Sequence, residues 1–230
     1  MHSAGRTVIK IRLVVFLISI VFTALSFSQT VSEKEGNIYF TGKDGHTVQI
    51  TSSALDSDPN LSLDQRLVVF VRRTPSLTID TGLGEADKNE LWVAETSGKE
   101  GAHRVLVGHA GGFKSDESLV LAGFSSPQFS PDAKRIYFEA QTWATQASFR
   151  MVDVGSGRVS FLYAGLGLEV LQTGQYAGYL IALKNIPSVM GRIFRYWLLD
   201  QDGKDVGEIG GDPFNAQPVE EFKREHGERN

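Results

Sequence analysis

The chain has 230 residues, enough for one or two domains with a sizeable core. Hydrophobic residues make up 41% of the chain, charged residues 22%, and glycine occupies 24 positions, a globular balance that excludes a disordered, collagen-like or fibrous protein. The chain has no cysteine, which excludes disulfides, thiolate metal sites, thiol catalysis and lipid attachment through a cysteine.

The N-terminus has the form of an export signal. Residues 1–12 carry three basic and no acidic side chains, and residues 13–27 are almost wholly apolar. A spanning helix needs about 20 apolar residues, so this shorter run is typical of a signal peptide. We predict a signal over residues 1–28 with cleavage after Ser28. The alternatives are cleavage at Ala24-Leu25-Ser26 and an uncleaved anchor that makes transient contact with the membrane.

The exported part is acidic. Without its three basic signal residues, the chain holds 20 basic against 27 acidic residues, a net charge of −7. Nucleic-acid backbones and anionic membranes require a basic surface, which the pairs Arg72-Arg73 and Lys223-Arg224 are too small to provide. We therefore expect a periplasmic or extracellular protein with no nucleic-acid partner and no lipid anchor.

The chain after residue 30 is predicted to be nearly all β, because short apolar runs end repeatedly at glycine-containing turns. Asp-Gly and Ser-Gly turns tolerate the positive φ angles of tight hairpins. Four such hairpins are predicted, centred on Gly45, Gly98, Gly157 and Gly203.

A second unit recurs between the hairpins. Ser62-Leu63-Asp64 precedes the predicted strand at 66–71, RLVVFV, and Ser130-Pro131-Asp132 precedes the predicted strand at 135–139, RIYFE. A degenerate copy lies at 171–175. Each repeat then contains four strands, which at intervals of roughly 50 residues is typical of propeller blades.

Residues 127–138, PQFSPDAKRIYF, resemble the repeat P-x-W/F-S-P-D-G-x-x-I/L-x-F of TolB-type β-propellers, which also occurs in propellers attached to prolyl oligopeptidases. Ala133 replaces the glycine of that repeat, and the copy at 62–65 has Leu63 and Gln65 instead of proline and glycine. The resemblance covers about residues 36–211. It implies an exported binding scaffold rather than a particular activity.

We expect an all-β domain over residues 36–211, arranged as a small or incompletely closed propeller of three to four four-stranded blades. Residues 212–230 are expected to form a charged, flexible tail. A β-sandwich with the same turn chemistry is the alternative fold. The expected parts are a half-blade at 36–51 and full repeats at 59–108, 127–164 and 168–210.

Two acidic segments invite a functional interpretation. Asp64 and Asp132 could be paired catalytic carboxylates, but an aspartate in such a turn normally caps backbone N–H groups, which we predict here. The run 200–205, DQDGKD, resembles a calcium loop but lacks the closing glutamate, so we predict a hairpin.

The histidines form no metal-binding pattern. His103 and His109 lie six residues apart, and neither HExxH nor HxH spacing occurs. The segment 108–112, GHAGG, resembles an esterase oxyanion loop, but no Gly-x-Ser-x-Gly elbow accompanies it. We expect no metal, no cofactor and no catalytic residue.

The longest connections, at 74–88, 109–125 and 141–147, are candidate binding loops. Trp143 lies among polar and small residues, as interface anchors do, although its ring could instead fold over a blade edge.

With Trp143, Phe113 and His109 as contacts, we predict an exported, non-catalytic module that binds a protein or peptide. The alternatives are an inhibitor-like protein that occludes another exported protein, and a small saccharide or ester hydrolase. Two carboxylates converging about 5–10 Å apart in a central pocket would favour the hydrolase.

Overall fold

A computed structural model of the chain describes residues 28–80, 85–99, 101–108, 121–141, 147–189 and 191–228. These residues form fourteen strands in three antiparallel sheets and one α-helix. Strands adjacent in the sequence are adjacent in each sheet. The predicted all-β class is confirmed.

The N-terminal sheet consists of β1 (Thr30–Lys34), β2 (Asn37–Thr41) and β3 (Thr47–Gln49). It begins at Thr30, six residues before the expected domain boundary at residue 36. Sequence patterns missed β1 because its residues, TVSEK, are mostly exposed and polar. Backbone pairing with β2 makes this segment a strand.

The first four-stranded unit contains β4 (Asp56–Leu61), β5 (Leu67–Asp80), β6 (Glu85–Glu95) and β7 (His103–Val107).

The third sheet has seven strands: β8 (Ser125–Phe129), β9 (Arg135–Gln141), β10 (Ala147–Asp153), β11 (Val159–Val170), β12 (Leu180–Ser188), β13 (Gly191–Leu199) and β14 (Asp205–Gly210). β11 is divided between two groups of strands, because it pairs with β10 up to Gly165 and with β12 from Leu166. We therefore distinguish a second unit, from β8 to the first half of β11, and a third unit, from the second half of β11 to β14.

The four predicted hairpins are confirmed. Each connects the expected strands, and all four turn glycines have φ between 66° and 83°. These hairpins and the Ser-x-Asp turns lie at one end of the sheets, which we call the turn end. In each unit, the second strand ends and the third strand begins at the opposite end, the loop end.

Apolar residues fill the layers between the N-terminal sheet and the first unit and between successive units. On β5, Val68 and Phe70 pack toward Ile38 of the N-terminal sheet, whereas Val69 and Val71 pack toward the second unit. A strand buried on both faces is continuously apolar, which explains the run at the start of β5. Between the second and third units, the core is formed by Tyr137, Phe149, Met151, Tyr163, Val170, Leu180, Ala182 and Leu199.

The C-terminal segment differs from the expected flexible tail at 212–230. Residues Gln217–Glu225 form helix α1. Val219 is 4% exposed and packs with Ile181 and Leu198 on the outer face of the third unit. The segment is charged, as expected, but its apolar side chains cover a face that would otherwise contact water. In the described part of the chain, no helix has the length and apolar character needed to cross a membrane.

Candidate binding cleft

The first strands of the units lie side by side, with β4 in contact with β1 and β8, and β8 in contact with β11. A cleft of about 320 Å³ opens among them at the turn end. Asn60, Gln128 and Glu169 line it from equivalent positions in the three units. The other lining residues are Leu61, Ser62, Leu63, Gln65, Val170 and Gln172.

A repeated backbone bulge determines the direction in which these three side chains point. Two residues before them, Asp58, Ser126 and Gly167 have φ values of 50°, 51° and 77°. The pairing register of each strand shifts at the same place. Because a bulge changes the direction of the following side chains, the same irregularity presents a polar residue to the cleft in each unit.

The Ser-x-Asp turns beside the cleft have the predicted structural role. Asp64 Oδ1 accepts hydrogen bonds from Ser62 Oγ at 2.7 Å and from the Arg66 amide at 3.1 Å. Asp132 repeats the pattern with Ser130 Oγ at 2.7 Å and with the amide two residues later at 3.2 Å. Both carboxylates therefore hold the turn that leads into the second strand of their unit.

Their electrostatics agree with this role. The Ser62 hydroxyl and the Arg66 amide lower the pKa of Asp64. Burial alone would raise the pKa of Asp132, but the bonds from Ser130 and Lys134 outweigh it and lower the pKa. Both groups are ionised at neutral pH and act as acceptors.

The third unit lacks a Ser-x-Asp turn, and the C-terminal segment replaces it. The Glu228 carboxylate accepts hydrogen bonds from the amides of Gln172 at 2.7 Å and Thr173 at 3.0 Å. The Gln175 amide donates to the His226 carbonyl at 2.9 Å. A carboxylate about 55 residues away thus caps a turn that Asp64 and Asp132 cap locally in the other units.

Two carboxamides join neighbouring units. Gln128 donates from Nε2 to the Leu168 carbonyl at 2.9 Å and accepts from the Val170 amide at 3.1 Å. Asn89 makes the same two-bond contact with the backbone of Phe124, at 3.0 and 2.9 Å. Sequence reasoning missed both, since a single glutamine or asparagine outside any motif gives no signal.

The cleft contains one carboxylate, Glu169, among its lining residues. Lys223 of α1 contacts it, with 2.6 Å between Nζ and Oε1, and lies 3.4 Å from Glu220. Burial alone would lower the pKa of Lys223, but Glu169 and Glu220 outweigh it and raise the pKa. Lys223 therefore remains an ammonium at the edge of the cleft.

Another carboxyl group lies toward the loop end. Glu139 is half-buried and accepts a weak hydrogen bond from Ser125 Oγ at 3.4 Å. Burial raises its pKa, and the negative charge of Asp58 raises it further. This pair of carboxylates does not line the cleft. The described residues contain no group of three or more side chains suited to hold a metal.

The candidate contacts Trp143, Phe113 and His109 lie outside the described residues. The flanking strand ends are described: Gln141 and Ala147 on either side of Trp143, and Val107 and Ser125 on either side of the other two. These ends lie at the loop end, opposite the cleft.

No protein-family model and no curated protein matches the sequence. Among solved structures, dipeptidyl peptidase 4 from Porphyromonas gingivalis is similar, with 13% identity, a TM-score of 0.50, and coverage of 80% of this chain and 31% of that chain. TolB from Acinetobacter baumannii has 15% identity and a TM-score of 0.46, over 75% and 37% of the two chains. The β-propeller domain of the Trilobed protease from Pyrococcus furiosus has 12% identity and a TM-score of 0.46, over 76% and 48%.

The fold is propeller-like, because antiparallel units of four strands follow one another along the chain and pack against each other. TolB and a propeller domain are among the similar structures. At such low identity the similarity concerns the fold alone. The chain spans less than half the length of each of these three proteins.

Proposed function

We propose that this chain is an exported, non-catalytic module that binds a protein or peptide partner, built as an open propeller with three four-stranded blades and a three-stranded first blade. The cleft is the observation that supports this function. Three equivalent strands present Asn60, Gln128 and Glu169 to it. Amide and carboxylate groups of this kind hydrogen-bond a polypeptide without changing it.

Site-specific photo-crosslinking tests the function. A photoreactive residue at Leu63, which is 47% exposed at the cleft, should give a discrete adduct in the envelope of the producing cell. Val206 is the matched control, because it is 51% exposed on β14 and does not line the cleft. Equal labelling at the two positions, or no adduct at Leu63, would contradict the proposal.

We also propose Trp143, Phe113 and His109 as contacts; the described strand ends that flank them in the sequence lie at the loop end. Trp143→Ala should weaken the binding of the partner by about 2 kcal/mol if the indole is an interface anchor. Its melting temperature should equal that of the parent. A large fall in melting temperature would instead indicate a ring packed on the blade edge.

Export belongs to the same proposal. The mature protein should begin near Gln29, one residue before β1. Mass spectrometry of the intact protein from the envelope fraction measures this directly. An intact Met1 on protein from the cytoplasmic fraction would contradict export.

A further inference from the structure

Two buried amide oxygens in the walls of the cleft have no hydrogen-bond partner in the described part of the chain. Gln172 donates Nε2 to the carbonyls of Phe129 and Val170, which leaves its buried Oε1 without a partner. The Oε1 atom of Gln65 is also buried without a partner. Asn60 makes no side-chain hydrogen bond within the described part of the chain.

The cleft also contains one charged group. Glu169 is its one ionisable lining residue among those described, and its cationic partner, Lys223, belongs to α1 and does not line the cleft. The side chain of Glu169 remains 46% exposed although Lys223 contacts it. A carboxylate has two oxygens and about four acceptor positions, so Glu169 can accept a further donor.

The chain itself shows which group this carboxylate accepts. Lys223 is only 11% exposed, yet it places its ammonium 2.6 Å from Glu169. Charge-assisted bonds between an ammonium or guanidinium and a carboxylate are shorter and stronger than neutral ones. The acidic net charge of the exported part favours the approach of a cation from solution.

We infer that the cleft binds a lysine or arginine side chain of a partner peptide, an inference that rests on the proposed function. The cationic group contacts Glu169, and Asn60 accepts a second bond. Leu61 and Leu63 receive the aliphatic stem, as apolar surfaces do for long basic side chains. Rotation of the unpaired Gln65 amide then brings a further acceptor to the ligand.

Isothermal titration calorimetry with four tripeptides blocked at both ends tests the inference. Acetyl-Gly-Lys-Gly-amide and its arginine analogue should bind, and the glutamine and glutamate analogues should not. Affinity should fall as ionic strength rises, because salt screens a half-exposed ion pair. Equal binding of the glutamate and lysine peptides would overturn the inference, as would no binding by either basic peptide.

Two variants locate the contact. Glu169→Gln should weaken the lysine peptide about tenfold, the scale of one charge-assisted bond. Glu208→Gln should leave the affinity unchanged, because Glu208 is equally exposed, at 46%, and does not line the cleft. Equal affinity of the Glu169→Gln variant and the parent would overturn the assignment.

Lys223→Met should change the affinity for the lysine peptide in the opposite direction to Glu169→Gln. It removes the internal ammonium that competes for Glu169, so affinity for the lysine peptide should rise several-fold. Circular dichroism verifies that α1 is retained in this variant. Unchanged or weaker binding with α1 intact would count against the inference.

The crosslinking result separates this inference from the proposed function. If Leu63 gives an adduct but the basic peptides are not selected, the proposed binding function stands and the cation site is refuted. If the basic peptides bind selectively but Leu63 gives no adduct in the envelope, the cation site is supported and the proposed function is refuted.

Discussion

At the scale of single residues, the serine and aspartate of each Ser-x-Asp turn hold the turn between the first and second strands of a unit. Ser130 Oγ accepts from the Arg135 amide at 3.0 Å and donates to Asp132, so one hydroxyl closes the turn from both sides. Ser130 is 5% exposed, and its partners replace the water that a free hydroxyl would bind. The turn therefore forms as a unit in which each polar atom depends on the others.

Asp132→Ala should lower the free energy of unfolding by about 1–2 kcal/mol, the usual cost of losing a local cap. Lys134→Ala is the control. Its ammonium lies 3.7 Å from Asp132 and its side chain is 79% exposed, so the loss of this contact should cost less than about 0.5 kcal/mol. Urea denaturation measures both. A variant at Asp132 with parental stability but lost function would make the carboxylate functional.

The pH dependence has a definite sign. The folded-state pKa values of Asp64 and Asp132 lie below the ordinary value of 3.8. Their contribution to stability is present above that value and is lost as the pH falls through the folded-state pKa. Urea titrations between pH 5 and pH 2 should show a smaller acid-induced loss in the Asp64→Asn/Asp132→Asn variant. Parallel curves would contradict this prediction.

At the scale of elements, α1 and its following residues complete the third unit. Phe222 stacks on Tyr176 with ring centroids 5.4 Å apart, and Glu228 caps the adjoining turn. Gly174 makes this approach possible, because a Cβ there would lie 2.5 Å from the His226 carbonyl oxygen. The segment therefore acts on the third unit through both packing and backbone capping.

Glu228→Gln should speed hydrogen exchange at the amides of Gln172 and Thr173, because a neutral amide is a weaker acceptor than a carboxylate. Exchange at the Lys134 amide, capped by Asp132, is the internal control. Gly174→Ala should produce a larger effect at the same two amides. Unchanged exchange in both variants would show that the cap contributes nothing to the turn.

At the scale of the whole molecule, the sheets form an open series with two different terminal faces. The N-terminal sheet presents the exposed residues Thr30, Ser32 and Thr47 away from the first unit. The far end of the series, on the third unit, is apolar and is covered by α1. The first and second units have a neighbour on both sides, and α1 takes the place of a neighbour on the outer face of the third unit.

Deletion of residues 212–230 should therefore cause self-association. It uncovers Leu171, Ile181 and Leu198, which are all less than 5% exposed in the full chain. Size-exclusion chromatography with light scattering should show a mass that rises with concentration beyond that of the full chain. Val219→Ser, which weakens the cover without removing it, should give a smaller rise. Identical masses for all three proteins would contradict this role of α1.

The sequence by itself determined the features that depend on neighbouring residues. Hairpins around Gly45, Gly98, Gly157 and Gly203 follow from positive φ angles, and the Ser-x-Asp turns follow from bonds that span two to five residues. Alternating or continuous apolar runs then identified the strands between them. The sequence also contains local signals for α1, namely Pro218 at its start and Gly227 just beyond its end. The prediction of a flexible tail did not use them.

Only the tertiary structure decided the features that depend on distant partners. β1 is polar and becomes a strand because β2 offers it a backbone edge. Gln128 contacts residues about 40 positions away, and Glu228 caps a turn 56 positions away. The cleft exists because β4, β8 and β11 are brought together by the packing of successive units. Such contacts leave no periodicity or motif, since nothing in the local sequence of either partner records the other.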